Sequence, residues 1–143
     1  MPQEMTADQR RAFLNDGTRT AILATVRADG RPHAAPVWYA LDGDDVLINT
    51  GEDTVKGRAV QRDPRVTVVV DDPTPPYAFV MIEGVAEISR DHDEIQRGST
   101  TIGRRYLDTE SADAWVLHYA TSPGKVLVRV RPTNLVAVDR VGG

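Results

Sequence analysis

Residues 64–89, PRVTVVVDDPTPPYAFVMIEGVAEIS, contain the features that decide the fold. Residues 66–70 form a continuous run dominated by β-branched side chains, which is typical of a buried central strand. A proline-rich loop follows at residues 71–76, and Ala78–Ser89 then predicts a second, longer strand. Gly84 lies in the middle of that strand, where it predicts a β-bulge of the kind that helps a sheet curl into a barrel.

Three further strands are predicted before this stretch. Residues 20–27 are β-compatible, and an Asp29-Gly30 pair then supplies the turn of a hairpin. The second strand of the hairpin, residues 32–41, carries Pro36, so we expect it at an edge, at a bulge or where the ladder is interrupted. Residues 46–50 predict the third strand.

Helices are predicted around the strands. Thr6 and Gln9 form a capping-box pattern that begins a helix ending near Asn15. The remaining helices are predicted at residues 54–62, 91–107 and 112–119, and the last strands at residues 125–131 and 135–138. At least six short strands joined mostly by tight turns indicate a mainly β fold. We therefore expect a single β-barrel domain with peripheral helices over residues 1–143.

The composition excludes several classes of function. The 143-residue chain has a net charge of −4, from 17 basic and 21 acidic residues, which disfavours nucleic acid as a partner. It has no cysteine, which excludes disulfides, thiolate zinc sites and a cysteine nucleophile. No apolar run approaches the ~18 residues of a membrane span, and the polar N-terminus lacks the pattern of a signal peptide. A cytoplasmic protein without a membrane partner is expected.

No side chain carries a catalytic signature. The three histidines, His33, His92 and His118, are far apart in sequence, and none has the spacing of a metal site. Serine is scarce, no nucleophile elbow is present, and no glycine-rich phosphate fingerprint follows a predicted strand. We expect neither a metal centre nor a catalytic triad, so a bound cofactor would have to supply any chemistry.

The strand-to-helix junction at residues 49–58, NTGEDTVKGR, is the first candidate binding site. A helix N-terminus offers free N–H groups and partial positive charge, which suit a phosphate. Two hydroxyls and two full charges add to them: Thr50, Thr54, Lys56 and Arg58. The alternative is a solvated helix face whose basic residues pair with Glu52 and Asp53. The spacing alone leaves both interpretations open.

Residues 36–39, PVWY, form the second candidate site. A planar heterocycle needs an apolar slot with backbone donors, and a strand interrupted by proline leaves N–H groups outside the ladder. Pro36, Val37 and Trp38 are therefore candidates to line the ring of a cofactor. The alternative is that Val37 and Trp38 are core residues.

Taken together and in order, these motifs have a known counterpart. The sequence resembles the pyridoxamine-phosphate-oxidase-like flavin-binding superfamily in ILAT at residues 22–25, DGRP at 29–32, PVW at 36–38, Lys56 ahead of Pro64, and EGVA at 83–86. The resemblance covers about residues 18–90. Within the superfamily the sequence is most similar to the actinobacterial branch that uses the deazaflavin coenzyme F420.

The resemblance implies a fold and a site. The fold would be a split β-barrel of the type that binds flavin mononucleotide (FMN), in a homodimer with two equivalent cofactor sites at the subunit interface. By position, Lys56 would bind the cofactor phosphate, and residues 36–38 would line the ring. The neighbours of Lys56 in the phosphate site would be Thr50, Thr54 and Arg58. Tyr77 and Met81 of the other chain would form a wall of each site.

The resemblance also implies a function. An oxidoreductase of this branch passes a hydride from reduced F420 to an unsaturated organic small molecule. Two alternatives stay open: an FMN-dependent pyridoxamine-phosphate-oxidase-like enzyme, and a non-enzymatic carrier of a flavin, haem or tetrapyrrole. No residue in the sequence distinguishes a flavin ring from a deazaflavin ring.

Overall fold

The computed structural model describes residues 1–143 as eight β-strands and four α-helices. The strands are β1 Gln3–Glu4, β2 Ala21–Val26, β3 Pro32–Val37, β4 Tyr39–Asp42, β5 Asp45–Gly51, β6 Arg65–Asp72, β7 Ala78–Ser89 and β8 Lys125–Asp139. The helices are α1 Ala7–Asn15, α2 Val55–Arg62, α3 His92–Tyr106 and α4 Thr109–Thr121. None of these helices is long and apolar enough to cross a membrane.

The strands form one antiparallel sheet that curls on itself. Its strand order is β3-β2-β6-β7-β8-β5-β4, with β1 paired to β8. β3 and β4 stand at opposite ends of this order, yet only Trp38 separates them in the chain. The two ends of the sheet therefore meet at Trp38. Because no ladder joins β3 to β4, the barrel is split along this seam, and the predicted mainly β, split-barrel fold is confirmed.

The core of the molecule has two parts. The inner face of the sheet encloses a cluster of 18 buried residues, dominated by valine, leucine and isoleucine. A second cluster of six lies between the sheet and helices α3 and α4, and includes Ile102 and Tyr119. β6 is central, as predicted, but its burial alternates: Val68 is fully buried, whereas Thr67 and Val69 on the outer face are only half-buried. Helices α3 and α4 thus cover the outer face of β4, β5 and part of β8, whereas the outer face at β6 stays partly exposed within one chain.

Several local predictions are confirmed. The register of β7 and β8 shifts between Glu83 and Gly84, which is the predicted bulge. An added Cβ at Gly84 would lie 2.7 Å from the Arg131 carbonyl oxygen, so the bulge requires glycine. The β2–β3 hairpin turns at Gly30, whose φ is +86°. Thr6 caps α1 through the predicted capping box with Gln9.

Three boundaries differ from the predictions. Residues 32–41 form two strands, because the chain leaves β2 at Trp38 and pairs next with β5. Pro36 lies within β3, an edge strand whose outer side needs no N–H donor, so the edge position, one of the three expected for it, is confirmed. Residues 125–131 and 135–138 belong to a single 15-residue strand, β8. β1 was not predicted, since two exposed residues carry no periodic pattern.

Candidate functional site

Helix α2 begins at a tightly held cap. The Thr54 hydroxyl accepts a hydrogen bond from the Gly57 backbone N–H (3.0 Å) and donates one to the Gly51 carbonyl oxygen (2.8 Å). The hydroxyl of Thr50, which is 5% exposed, lies 3.1 Å from that of Thr54. An added Cβ at Gly57 would overlap the Gly51 carbonyl oxygen, so glycine is needed for this close approach. Thr50 and Thr54 therefore fix a helix end whose first N–H groups have no acceptor within the helix.

Lys56 and Arg58 carry positive charge beside this helix end. Neither side chain forms an ion pair or a hydrogen bond within the chain, although Lys56 is half-buried. Glu52, one of the two carboxylates considered as their partners, instead forms a 3.1 Å ion pair with Arg90. The structure therefore does not show the ion-paired helix face, and two cations remain available to an anion at the start of α2.

Lys125 is a third cation near the same turn, and the sequence analysis did not single it out. It pairs with Gly51 in the β5–β8 ladder. Lys125 Nζ and the Thr54 side chain lie 3.8 and 3.4 Å from the position that a Cβ on Gly51 would occupy. The amine also sits 5.5 Å from the ring centre of Tyr119, whose hydroxyl donates to the Thr50 carbonyl oxygen (2.7 Å). Only the strand register brings residue 125 here, so no local sequence signal could have indicated it.

The second candidate motif lies at the seam of the barrel. Val37 is 6% exposed and its side chain belongs to the core, which leaves its backbone as the part that can face a ligand. Pro36 is exposed on β3, and Trp38 keeps 36% of its surface exposed. Trp38 stacks on Tyr106 with ring centres 4.6 Å apart and planes 12° from parallel. Pro36, Trp38 and the backbone of this segment remain as candidates to contact a planar ring.

Tyr106 at the end of α3 closes the seam. Its hydroxyl accepts a hydrogen bond from the Tyr39 N–H (3.2 Å) and donates one to the Arg19 carbonyl oxygen (2.7 Å). These two partners lie at the start of β4 and just before β2, on opposite sides of the split. Trp38 is thus held in place by both the ring and the hydroxyl of Tyr106. No local sequence pattern indicates Tyr106 for this position, because helix packing brings it there.

Tyr77 lies just before β7, and Met81 lies on β7. Met81 points to the outer face of β7, and Tyr77, at φ +70° in the loop before β7, is 46% exposed. Neither forms a hydrogen bond to α2 or to residues 36–38 within the chain. Their assignment to a cofactor site therefore depends on a second copy of the chain and stays a prediction.

The residues at the start of α2 and at the seam fit a phosphate-bearing planar cofactor. Hydroxyls, a helix N-terminus and unpaired cations are the donors that a phosphate requires. The partly exposed Trp38 offers a flat apolar surface. It precedes Tyr39, which pairs with Ile48, two residues before Thr50 on β5. The curled sheet with this arrangement at its seam defines a class: a split β-barrel of the type that binds flavin-like cofactors.

Comparison with known proteins agrees with this class. The family model for pyridoxamine 5'-phosphate oxidase matches residues 6–139. The chain belongs to this family. A conserved hypothetical protein from Mycobacterium tuberculosis is 28% identical, with a TM-score of 0.84 over 95% of this chain and 86% of that one.

Two further solved structures share the fold. A protein of Listeria innocua described as a candidate pyridoxamine 5'-phosphate oxidase is 25% identical, with a TM-score of 0.70 over 90% of this chain and 95% of that one. A structure named as an F420 reductase is 24% identical, with a TM-score of 0.66 over 87% of this chain and 94% of that one. At this identity the last comparison establishes the fold alone.

Proposed function

We propose that this protein is an oxidoreductase that binds coenzyme F420 and reduces an unsaturated organic small molecule. The observation that carries the proposal is the pair of cations without partners, Lys56 and Arg58, at the start of α2. Membership of the family supports a flavin-type cofactor. The F420 reductase of the same fold supports the deazaflavin form.

Different residues of the chain would bind different parts of the cofactor. Lys56 and Arg58 hold the phosphate by charge-assisted hydrogen bonds, together with the first N–H groups of α2. Thr50 and Thr54 keep that helix end in position. Trp38, stacked on Tyr106, presents its exposed surface to the ring.

No side chain is assigned a catalytic role. When bound in its reduced form, the cofactor supplies the hydride. The protein has to hold the acceptor face to face with the ring at about 3–3.5 Å and keep water out. No group of three or more histidine or carboxylate side chains is arranged to hold a metal ion.

A homodimer would complete the site. Five outer-face residues form an apolar row across neighbouring strands: Pro36, Ile22, Val69, Met81 and Val136. Ile22 is 40% exposed, although large apolar side chains at the centre of a sheet face are normally covered. A second copy of the chain can cover the row, because a two-fold interface brings the same surface patch of both chains together. In such a dimer Met81 and Tyr77 reach the partner's cofactor.

An FMN-dependent enzyme is the second candidate. The family is named for a phosphate-ester oxidase, and one anion site at α2 is sufficient for the single phosphate of FMN. The two candidates share every residue named above, so only the cofactor itself distinguishes them.

The test is a titration of the purified protein with F420, FMN and haem in turn, followed by fluorescence for the first two and by Soret absorbance for haem. We expect one F420 per chain, bound at least about tenfold more tightly than FMN. Tighter binding of FMN would favour the second candidate. Binding of haem alone would overturn both and favour a carrier.

A further inference from the structure

Both tryptophans and two of the four tyrosines of the chain contact one another. Trp38 at the seam stacks on Tyr106 of α3, and Trp115 stacks on Tyr119 within α4. The ring centres of Trp115 and Tyr119 are 5.5 Å apart. The two pairs meet at the tryptophans, whose ring centres are 5.8 Å apart with planes 49° from parallel. We call these four residues the aromatic cluster.

Each tyrosine of the cluster is anchored by its hydroxyl group. Tyr106 Oη bonds to the backbone on both sides of the seam. Tyr119 Oη donates to the Thr50 carbonyl oxygen of β5. Trp115 is also confined, since a Cβ on Gly103 would lie only 2.9 Å from its ring. The rings are therefore held in place within the chain, and a ligand would not have to order them.

The two tryptophans remain accessible to a ligand. Trp38 is 36% exposed, and Trp115 is half-buried. Neither indole N–H donates a hydrogen bond within the chain, although the N–H of a buried tryptophan usually finds a partner. Rigid, partly exposed aromatic rings with unused donors are typical of sites for planar ligands. The cluster therefore has the properties of a binding surface as well as those of a core.

A cation lies at the Tyr119 end of the cluster. Lys125 Nζ is 5.5 Å from the centre of the Tyr119 ring, within the range of a cation–π contact. The half-buried amine forms no ion pair and no hydrogen bond within the chain. Glu52 and Asp53 approach the neighbouring Gly124, but neither is paired with Lys125. Lys125 is therefore free to bind an anion that reaches this end of the cluster.

The two ends of the cluster suit different partners in a reaction. Trp38 belongs to the ring motif at residues 36–38, the proposed place of the cofactor ring. Trp115 contacts Trp38 from α4, so a molecule resting on Trp115 would lie beside that ring, as hydride transfer requires. An anionic group on the same molecule would reach Lys125 by passing Tyr119, through two contacts of 5.5 Å each.

We propose that Trp115 and Lys125 bind the acceptor, and that the acceptor is a planar conjugated molecule with a carboxylate group. This rests on the proposed function, because the cluster begins at the proposed place of the cofactor ring. The fixed indole of Trp115 selects a flat conjugated system by stacking. Lys125 selects a negative charge on that system. Lys125 is thereby assigned to the acceptor, whereas Lys56 and Arg58 are assigned to the cofactor phosphate.

The test measures the binding of two planar probes by equilibrium dialysis, with and without saturating F420. Cinnamate carries a conjugated double bond and a carboxylate, and cinnamamide has the same skeleton without the charge. Native protein should bind cinnamate at least about tenfold more tightly than cinnamamide, the effect of one hydrogen bond to a charged group. In Lys125→Met the two probes should bind equally, at the native affinity for cinnamamide. Lys125→Arg keeps the charge and should retain the preference.

Variants of Trp115 test the stacking contact. Trp115→Leu should weaken both probes by about fivefold, whereas Trp115→Phe keeps a ring and should weaken them less. Leu117→Ala is the matched control, since Leu117 is a 68% exposed residue of the same helix. It should alter the affinity of neither probe. All of these variants should bind F420 with the native Kd.

The proposal is overturned if native protein binds the two probes equally, or if Lys125→Met keeps the preference for cinnamate. It is also overturned if Lys125→Met weakens F420 and leaves both probes unchanged, because Lys125 then belongs to the phosphate site. The comparison of two probes in the Lys125 variants decides the matter even if Trp115→Leu fails to fold. Binding of cinnamate through Lys125 in a protein that does not bind F420 would refute the proposed function alone.

Discussion

Replacing Lys56 tests cofactor binding separately from protein stability, because its half-buried ammonium group bonds to nothing else in the chain. Replacing it with alanine should weaken cofactor binding by about 1.5–3 kcal/mol, the range for hydrogen bonds to charged groups. This corresponds to roughly 10- to 100-fold in Kd. The melting temperature of the cofactor-free protein should change little. Fluorescence titration and thermal unfolding of the same preparations measure both effects.

Arg97→Ala is the control for this variant. Like Lys56, Arg97 is a cation without an ion pair, but it is exposed and lies on α3. It should leave the Kd unchanged. If Lys56→Ala keeps full affinity and instead lowers the melting temperature, Lys56 is a structural residue of α2 and the phosphate assignment is wrong.

The burial of two tyrosines predicts how the stability of the protein changes at alkaline pH. Burial raises the pKa of Tyr39 to about 12 and the pKa of Tyr119 to about 12. In the unfolded chain both groups ionise near the ordinary value of 10. Because the folded pKa is the higher one, the stability that these phenols contribute is complete below pH ~10 and is lost as the pH rises toward 12.

Urea unfolding at a series of pH values, together with phenolate absorbance, checks this prediction. The free energy of unfolding should fall between pH ~10 and ~12, and phenolate absorbance should increase when the protein unfolds in that range. The Tyr39→Phe, Tyr119→Phe double variant should show a flatter pH dependence. If the free energy of unfolding changes with pH equally in the double variant and the native protein, the two tyrosines are not the cause of the change.

At the scale of elements, the seam between β3 and β4 depends on α3. Tyr106→Phe keeps the stack on Trp38 but removes the hydroxyl shared by the Tyr39 N–H and the Arg19 carbonyl oxygen. Two backbone groups then lose a partner, so we expect a loss of about 1–3 kcal/mol in the free energy of unfolding. Tyr77→Phe is the control, because that hydroxyl is without a hydrogen bond in the structure. Similar stability of the two variants would show that the hydroxyl of Tyr106 does not hold the seam.

Strands and helices with strong local signals were predictable from the sequence. The capping box at Thr6, the turn at Gly30 and the bulge at Gly84 are each set by backbone preferences of one or two residues. The division of residues 32–41 into two strands was not predictable. It depends on which strand each half pairs with, and the ladder partners β2 and β5 are distant in sequence.

Some residues of the candidate site could likewise be predicted from local sequence, and others could not. The start of α2 could be predicted because its hydroxyls and cations are adjacent in sequence. Lys125 and Tyr106 could not, since strand register and helix packing bring them to the site from more than 50 residues away. Val37 was assigned to the cofactor ring from its neighbours, but strand alternation turns its side chain into the core.

At the scale of the whole molecule, the outer face of the sheet predicts a dimer. Met81→Glu places a charge in the middle of the apolar row, so a partner copy would have to bury an unpaired carboxylate. We expect native protein at twice the mass of one chain by light scattering and the variant at the mass of one chain. Leu117→Glu, which changes a 68% exposed residue of α4, should leave the dimer intact. Native protein at the mass of one chain would contradict the proposal of a shared site.

A crystal structure of the protein with bound F420 tests the central claim most directly. We expect the phosphate about 3 Å from Lys56 Nζ and from the first N–H groups of α2, with the ring beside Pro36 and Trp38. We also expect Met81 and Tyr77 of a second chain at the opposite wall of the site. Coenzyme bound elsewhere, such as in the groove between α3 and α4, with the start of α2 free of any anion, would contradict it.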